Sequence, residues 1–180
     1  MLESSASDKT ISIALVDAQL VLTDALAVAI GQEPDLCVVG SAASCAASRE
    51  LFARVCADVI LLDVSLADGD GLSLIPELRE RCPQTRILVL TSFVDETTLL
   101  RAIDSGVNGF VSKIRPMSEL LAGIRQAAAG QIVMPTNLLL GLLARPPQPA
   151  KGQHRNQLTP RRLASATCSI NSAYIPTWKP

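Results

Sequence analysis

The sequence lacks an apolar stretch long enough to form a membrane-spanning helix. Such a helix needs about 20 consecutive apolar residues, and the richest run here, residues 138–144, is far shorter. Residues 1–10 include acidic side chains and lack a basic region followed by an apolar block, so they do not resemble a secretory signal peptide. From these absences we expect a cytoplasmic protein.

Histidines and closely spaced cysteine pairs, which often bind metals, are also scarce. His154 is the one histidine, which excludes a histidine-rich metal site and argues against a Ser-His-Asp triad. The cysteines form no CxxC pair and no cluster typical of a disulfide framework; they are Cys37, Cys45, Cys56, Cys82 and Cys168. We expect them to be buried thiols that act as small hydrophobic side chains.

Aromatic residues and an excess of one charge are missing as well. Aromatics make up 3% of the sequence, so the core must be built from Ala, Leu, Val and Ile. The 16 basic and 17 acidic residues give a net charge of -1, which argues against a nucleic-acid-binding surface over the whole chain. The 48% apolar content favours a folded domain.

What the sequence does contain is a regular alternation of apolar strands and helices. Strands are predicted at residues 11–16, 36–39, 59–62, 87–90 and 109–111. Helices are predicted at residues 20–30, 44–56, 72–81, 95–104 and 117–129. Continuous apolar strands are typical of a parallel sheet covered by helices on both faces. Right-handed crossovers then predict an α/β, doubly wound, five-stranded parallel sheet.

Polar residues follow four of the predicted strands: Asp17, Asp63, Thr91 and Lys113. Ligands bind outside the carboxyl ends of parallel strands, so we expect these side chains to lie close together. Two carboxylates can bind Mg²⁺, and one can attack an electrophilic phosphorus while Lys and Thr hold the phosphoryl oxygens. Taken singly, each could instead be a helix cap or a solvated surface group.

Beyond residue 130 the pattern weakens. We predict a short helix and linker over 131–157, because residues 137–144 are apolar and 145–157 are rich in Pro and Gln. Residues 158–180 show no helical periodicity, and we expect them to be disordered. The basic residues of this region fit a solvated linker, with weak phosphate contacts as the alternative; they are Arg145, Lys151, Arg155, Arg161 and Arg162.

Five segments then show a family resemblance: residues 14–26 (ALVDAQLVLTDAL), 57–72 (ADVILLDVSLADGDGL), 86–93 (RILVLTSF), 102–113 (AIDSGVNGFVSK) and 115–135 (RPMSELLAGIRQAAAGQIVMP). Residues 13–135 resemble the receiver domain of two-component response regulators, with wording closest to the NarL/FixJ-type transcriptional regulators. The resemblance implies a flavodoxin-like (CheY-like) receiver over residues 10–130. It implies a signalling switch rather than an enzyme, a sensor histidine kinase as partner, and a homodimer.

The same resemblance assigns roles to individual residues. Asp63 is the expected phospho-acceptor, assisted by Thr91 and Lys113, and Phe110 is the expected switch aromatic that moves with Thr91. The expected Mg²⁺ ligands are Asp17, Asp63 and the backbone carbonyl of Ser65. Gly69 and Gly71 are expected to shape the loop after Asp63.

Two departures from the family pattern bear on function. The family usually has two adjacent acids after its first strand, whereas this sequence has Asp17-Ala18. Since the resemblance makes the missing acid a direct metal ligand, we expect a weakened Mg²⁺ site. A helix-turn-helix pattern starts at Leu158 and stops after Arg161. We therefore expect the DNA-binding domain to be truncated or frameshifted. DNA binding would require a complete helix-turn-helix.

Two other functions stay open at this stage. An atypical receiver could act without phosphorylation, as a ligand-gated or protein-interaction module, which the Asp17-Ala18 pair favours. A phosphatase on a related α/β fold typically has a second Asp two residues after its nucleophile. That position is Ser65 here, which disfavours a phosphatase.

Overall fold

The computed structural model describes residues 10–92 and 95–134. Within them, five parallel strands form one sheet: β1 (Ile11–Val16), β2 (Leu36–Ala42), β3 (Val59–Leu62), β4 (Arg86–Thr91) and β5 (Gly109–Ser112). Their order across the sheet is β2-β1-β3-β4-β5. The predicted flavodoxin-like, doubly wound fold is confirmed.

Five helices cover the two faces: α1 (Leu20–Gly31), α2 (Cys45–Phe52), α3 (Ile75–Arg81), α4 (Glu96–Asp104) and α5 (Met117–Ala128). Successive side chains of a strand lie on opposite faces of the sheet. Ala14 and Val16 join the core under α2, α3 and α4, whereas Ile13 and Leu15 join the core under α1 and α5. Both cores are mainly aliphatic, as the shortage of aromatics predicts, with Phe52 and Phe110 in the core under α2, α3 and α4.

Three element boundaries differ from the sequence-based predictions by more than one residue. Helix α2 ends at Phe52 instead of residue 56, because the N–H groups of Arg54 and Val55 both donate to Leu51 O in a closing turn. A 3₁₀ turn, Gly71–Leu74, precedes α3, whose first turn holds the proline that cannot donate a backbone hydrogen bond. Strand β2 extends to Ala42, because its pairing with β1 continues past a register shift.

A two-stranded hairpin follows β3 and was not predicted from the sequence. Ser65–Leu66 and Gly69–Asp70 pair antiparallel around a two-residue turn. Two-residue strands are too short to produce a periodic pattern. The hairpin lies directly after Asp63 and so belongs to the surroundings of the predicted site.

The expectation that all cysteines are buried free thiols was wrong for Cys56 and Cys82, which are paired, and for Cys37, which is exposed. Cys56 and Cys82 form a disulfide, although 26 positions separate them. They meet because the segment after α2 and the last turn of α3 reach the same edge of the sheet, which spacing alone does not indicate. Cys45 is a buried free thiol, as expected, and Cys37 is an exposed one. Cys168 lies outside the described residues.

The chain continues to pack against the sheet beyond residue 130. Val133 forms a parallel bridge with Gly109, and its carbonyl accepts a hydrogen bond of 2.8 Å from Phe110 N. The predicted helix at 137–144 and the predicted tail at 158–180 lie outside the described residues. Over the described ranges, no helix is long and apolar enough to cross a membrane.

Candidate functional site

The sheet brings the four polar strand-end residues to one edge. Backbone hydrogen bonds hold three of them in register with a neighbouring strand: Asp17 N donates to Ala42 O (3.0 Å), Asp63 N to Val16 O (2.7 Å) and Lys113 N to Thr91 O (2.8 Å). Asp17 directly follows β1, Asp63 follows β3, Thr91 ends β4 and Lys113 follows β5. Parallel strands therefore place these residues side by side.

The Lys113 ammonium joins the two carboxylates. Lys113 Nζ lies 2.6 Å from Asp17 Oδ2 and 2.8 Å from Asp63 Oδ2, and all three side chains are largely buried. Burial lowers the pKa of Lys113, but its contacts with Asp17 and Asp63 and their charges outweigh this effect, so the net pKa shift is upward. Lys113 is therefore a firmly held cation at neutral pH.

The oxygens of this cluster suit a hard cation. Asp17 Oδ1 accepts a hydrogen bond from Gln19 N (2.8 Å), and Asp63 Oδ1 accepts one from Ser65 N (3.3 Å). Asp17 Oδ2 is buried, and no donor among the described residues reaches it in hydrogen-bonding geometry, although Lys113 contacts it as an ion pair. A buried carboxylate oxygen in this state is a natural ligand for Mg²⁺.

The cluster holds fewer acids than a fully protein-ligated cation needs. Over residues 10–92 and 95–134, no group of three or more His, Cys, Asp or Glu side chains is arranged to hold a metal. Ala18, half-buried beside Asp17, offers no side-chain oxygen. Ser65 is exposed at the start of the hairpin, where its carbonyl was expected to be a ligand.

The loop after Asp63 leaves no space for a side chain at Gly71. At Gly71, a Cβ atom would lie 2.1 Å from Asp63 O, so any larger residue would displace the backbone of the predicted phospho-acceptor. Gly71 N also donates to Val64 O (2.7 Å). The predicted importance of Gly71 thus has a specific steric cause.

Three further charged residues, which the sequence reasoning missed, fix this loop. Asp68 accepts hydrogen bonds from Cys45 N (2.5 Å) and Ala46 N (3.0 Å) at the start of α2. Asp70 forms an ion pair with Arg101 of α4. The run of Asp and Gly at 68–71 is a turn signal, but nothing local indicates partners that are 22 to 31 positions away.

Phe110, the predicted switch aromatic, lies in the core. It is 1% exposed and packs with the aliphatic residues beneath α3 and α4. Thr91 is half-buried at the end of the adjacent strand, and its strand pairs with that of Phe110. The structure therefore places the two predicted switch residues on neighbouring strands, one at the surface and one inside.

Comparison with known proteins agrees with this architecture. Residues 13–125 match the family model for the response regulator receiver domain. The chain is 36% identical over 138 residues to the DNA-binding transcriptional activator DevR/DosR of Mycobacterium tuberculosis, an alignment that covers 75% of this chain and 62% of that protein. It is 32% identical over 152 residues to the nitrate/nitrite response regulator NarL of Escherichia coli K12, covering 83% of this chain and 70% of NarL.

Solved structures show the same fold. A LuxR-family two-component response regulator from Aurantimonas superposes with a TM-score of 0.69 at 25% identity, covering 74% of this chain and 96% of that one. The isolated receiver domain of RcsB from Salmonella enterica, solved with a phosphomimetic, superposes with a TM-score of 0.66 at 21% identity, covering 73% and 97%. On the family match and these relatives, the chain belongs to the response regulator receiver family, of the NarL/LuxR type.

Proposed function

We propose that this chain is a phospho-acceptor switch in two-component signalling and that Asp63 receives the phosphoryl group from a sensor histidine kinase. The observation that carries the proposal is the buried Asp17–Lys113–Asp63 cluster at the carboxyl edge of the sheet. Response regulators are signalling proteins that act with such kinases, so the family supports the same assignment.

The chemistry follows from the groups at this edge. A carboxylate oxygen of Asp63 attacks the donor's phosphorus, the bond from phosphorus to the donor nitrogen breaks, and the electron pair stays on that nitrogen. Lys113 and the Thr91 hydroxyl then stabilise the phosphoryl oxygens, since a fixed ammonium and a hydroxyl form strong, charge-assisted contacts with them. Lys113 exchanges its present contact with Asp63 for one with the phosphoryl group.

Receiver domains typically bind Mg²⁺ at an acidic pocket, and this pocket would hold it through Asp17, Asp63 and the Ser65 carbonyl. A cation held there would supply charge neutralisation between the Asp63 carboxylate and the anionic donor. Ala18 contributes neither a charge nor an oxygen, so we infer that this site binds Mg²⁺ more weakly than a pocket with two adjacent acids. Phosphorylation then requires a higher Mg²⁺ concentration.

Contacts around Asp63 can transmit phosphorylation from the pocket to the surface of the domain. The phosphoryl group carries about -1.5 to -2 of charge and replaces the single charge of the Asp63 carboxylate; its oxygens draw Thr91 towards Asp63 and let Phe110 repack beneath it. The Asp70–Arg101 pair links the loop after Asp63 to α4, so movement of this loop reaches that helix. We infer that the face formed by α4, β5 and α5 changes its partner contacts, including those of a homodimer.

DNA binding is a property of one relative of this chain. DevR/DosR is described as DNA-binding, whereas in this sequence the helix-turn-helix pattern stops after Arg161. We infer that this chain performs the signal-receiving step of transcription control. Contact with DNA would require a complete helix-turn-helix.

Incubation with a small phosphodonor and Mg²⁺, read by intact mass, tests the proposal. We expect a gain of one phosphoryl group that disappears in Asp63→Asn and persists in Asp24→Asn, which alters an exposed acid on α1. No gain at any Mg²⁺ concentration would contradict the proposal and favour a receiver that acts without phosphorylation.

A further inference from the structure

The Cys56–Cys82 disulfide lies away from the phosphorylation pocket. Cys56 precedes β3 by three residues, and Cys82 directly follows α3, so the bridge lies at the amino-terminal edge of the sheet. The pocket occupies the opposite, carboxyl edge. The Cα atoms of the two cysteines are 5.6 Å apart, a separation that suits a disulfide.

The two sulfur-bearing residues differ in access. Cys56 is exposed, whereas Cys82 is 4% exposed and packs in the core under α3. An open cavity of about 240 Å³ adjoins both, with Asp58, Arg81 and Thr85 in its wall. We therefore expect a small thiol to approach the bridge from the exposed Cys56 side rather than from the side of the buried Cys82.

The disulfide joins the two ends of the segment that carries Asp63. Residues 56–82 contain β3, Asp63, the hairpin and α3. Hydrogen bonds that do not involve sulfur also hold the ends of this segment: Thr85 Oγ1 donates to Ala57 O (2.7 Å), and Arg86 N donates to Asp58 O (2.8 Å). Because of these bonds, we expect the same fold with or without the disulfide.

We propose that Cys56 and Cys82 form a reversible thiol–disulfide site that exchanges with small cellular thiols and sets the stability of the Asp63-bearing segment. In reduction, the thiolate of a glutathione-type thiol attacks Cys56 Sγ and forms a mixed disulfide. The Cys56–Cys82 bond breaks, and Cys82 Sγ leaves with the electron pair and takes a proton. A second thiol then displaces Cys56.

The exchange is balanced without any other reactant. One protein disulfide and two small thiols give one protein dithiol and one small-molecule disulfide, and oxidation is the reverse. Closing this 26-position loop restricts the unfolded chain more than the folded one. For a domain of this size we expect the oxidised form to melt roughly 10 °C above the reduced form.

The test equilibrates the full chain with mixtures of reduced and oxidised glutathione, traps free thiols by acid quenching and alkylation, and maps them by peptide mass spectrometry. We expect Cys56 and Cys82 to become protected together as the mixture turns oxidising, while exposed Cys37 stays alkylated. Melting curves of the same samples should show the upward shift. The shift should persist in Cys37→Ser and vanish in the Cys56→Ser/Cys82→Ser double variant.

Two results would overturn the proposal. One is independent alkylation of Cys56 and Cys82 in every mixture, which would mean that no exchanging pair exists. The other is a protected pair with identical melting temperatures for oxidised and reduced wild type, which would remove the effect on stability. Both readings use the wild-type chain, so neither depends on whether a variant folds, and neither depends on whether Asp63 is phosphorylated.

Discussion

At the scale of single residues, the site rests on one buried cation between two buried anions. Lys113 forms ion pairs with both Asp17 and Asp63, which leaves the cluster with one excess negative charge, and its pKa is raised by that pairing. These three residues could be predicted from sequence because each follows an apolar strand of a parallel sheet. Asp70 and Arg101 could not, since they lie in a loop and on a helix surface and meet through tertiary structure.

Gly71 offers the sharpest test of the loop geometry. Gly71→Ala would place a Cβ atom 2.1 Å from Asp63 O, so the loop must shift. We expect a loss of about 2 kcal/mol or more in the free energy of unfolding, measured by urea denaturation, and slower phosphoryl incorporation.

The matched control is Gly31→Ala at the end of α1, where nothing lies within 4 Å of the added atom. This change should be neutral or stabilise the protein by up to about 1 kcal/mol, because alanine favours helix. Equal effects of the two substitutions would contradict the steric account of Gly71.

At the scale of elements, the amino terminus of α2 depends on a residue from outside the helix. Ser44 Oγ accepts a hydrogen bond from Ala47 N, as a local cap can, while Asp68 supplies acceptors for Cys45 N and Ala46 N. The start of α2 was therefore predictable within one residue. Its early end and the Asp68 cap were not, because both depend on contacts between segments.

The Asp68 cap predicts a pH dependence. Hydrogen bonds from the backbone N–H groups of Ala46 and Cys45 lower the pKa of Asp68 below its ordinary value of 3.8. A lowered pKa in the folded state means that the ionised carboxylate stabilises the fold above pH 3.8, and that this contribution is lost as the pH falls through the lower value.

We therefore expect Asp68→Asn to unfold at lower urea than wild type at pH 7, with a difference that shrinks below pH 4. Asp24→Asn, on the exposed face of α1, should show no such trend. A constant gap between wild type and Asp68→Asn down to pH 3 would rule out the ionised cap as its cause.

At the scale of the whole molecule, the sequence was sufficient to predict the five-stranded sheet and its class. Apolar strands that alternate with amphipathic helices at short spacing permit few other topologies. The disulfide escaped prediction because its partners are distant in sequence. The pairing of Val133 with Gly109 also could not be predicted, because a single bridge at a sheet edge produces no periodic pattern in the sequence.

The backbone bridge between Val133 and Gly109 predicts which fragment of the chain keeps the full stability of the receiver domain. A fragment of residues 10–134 should melt cooperatively and incorporate a phosphoryl group as the full chain does. A fragment ending at Gly130 loses the acceptor for Phe110 N and the apolar contacts of Val133, so we expect its melting temperature to fall by several degrees. Identical melting of the two fragments would show that residues 131–134 do not stabilise the domain.

The most direct test of the proposed function compares wild type with Ala18→Asp. The measurement is the initial rate of phosphoryl incorporation from a small phosphodonor, determined as a function of Mg²⁺ concentration. We expect both proteins to reach one phosphoryl group per chain, with wild type needing roughly tenfold more Mg²⁺ for half its maximal rate, as the loss of a ligand worth about 1.4 kcal/mol implies. Failure of both proteins to incorporate phosphate would contradict the assignment of Asp63 as phospho-acceptor, and identical Mg²⁺ curves would contradict the role given to Ala18.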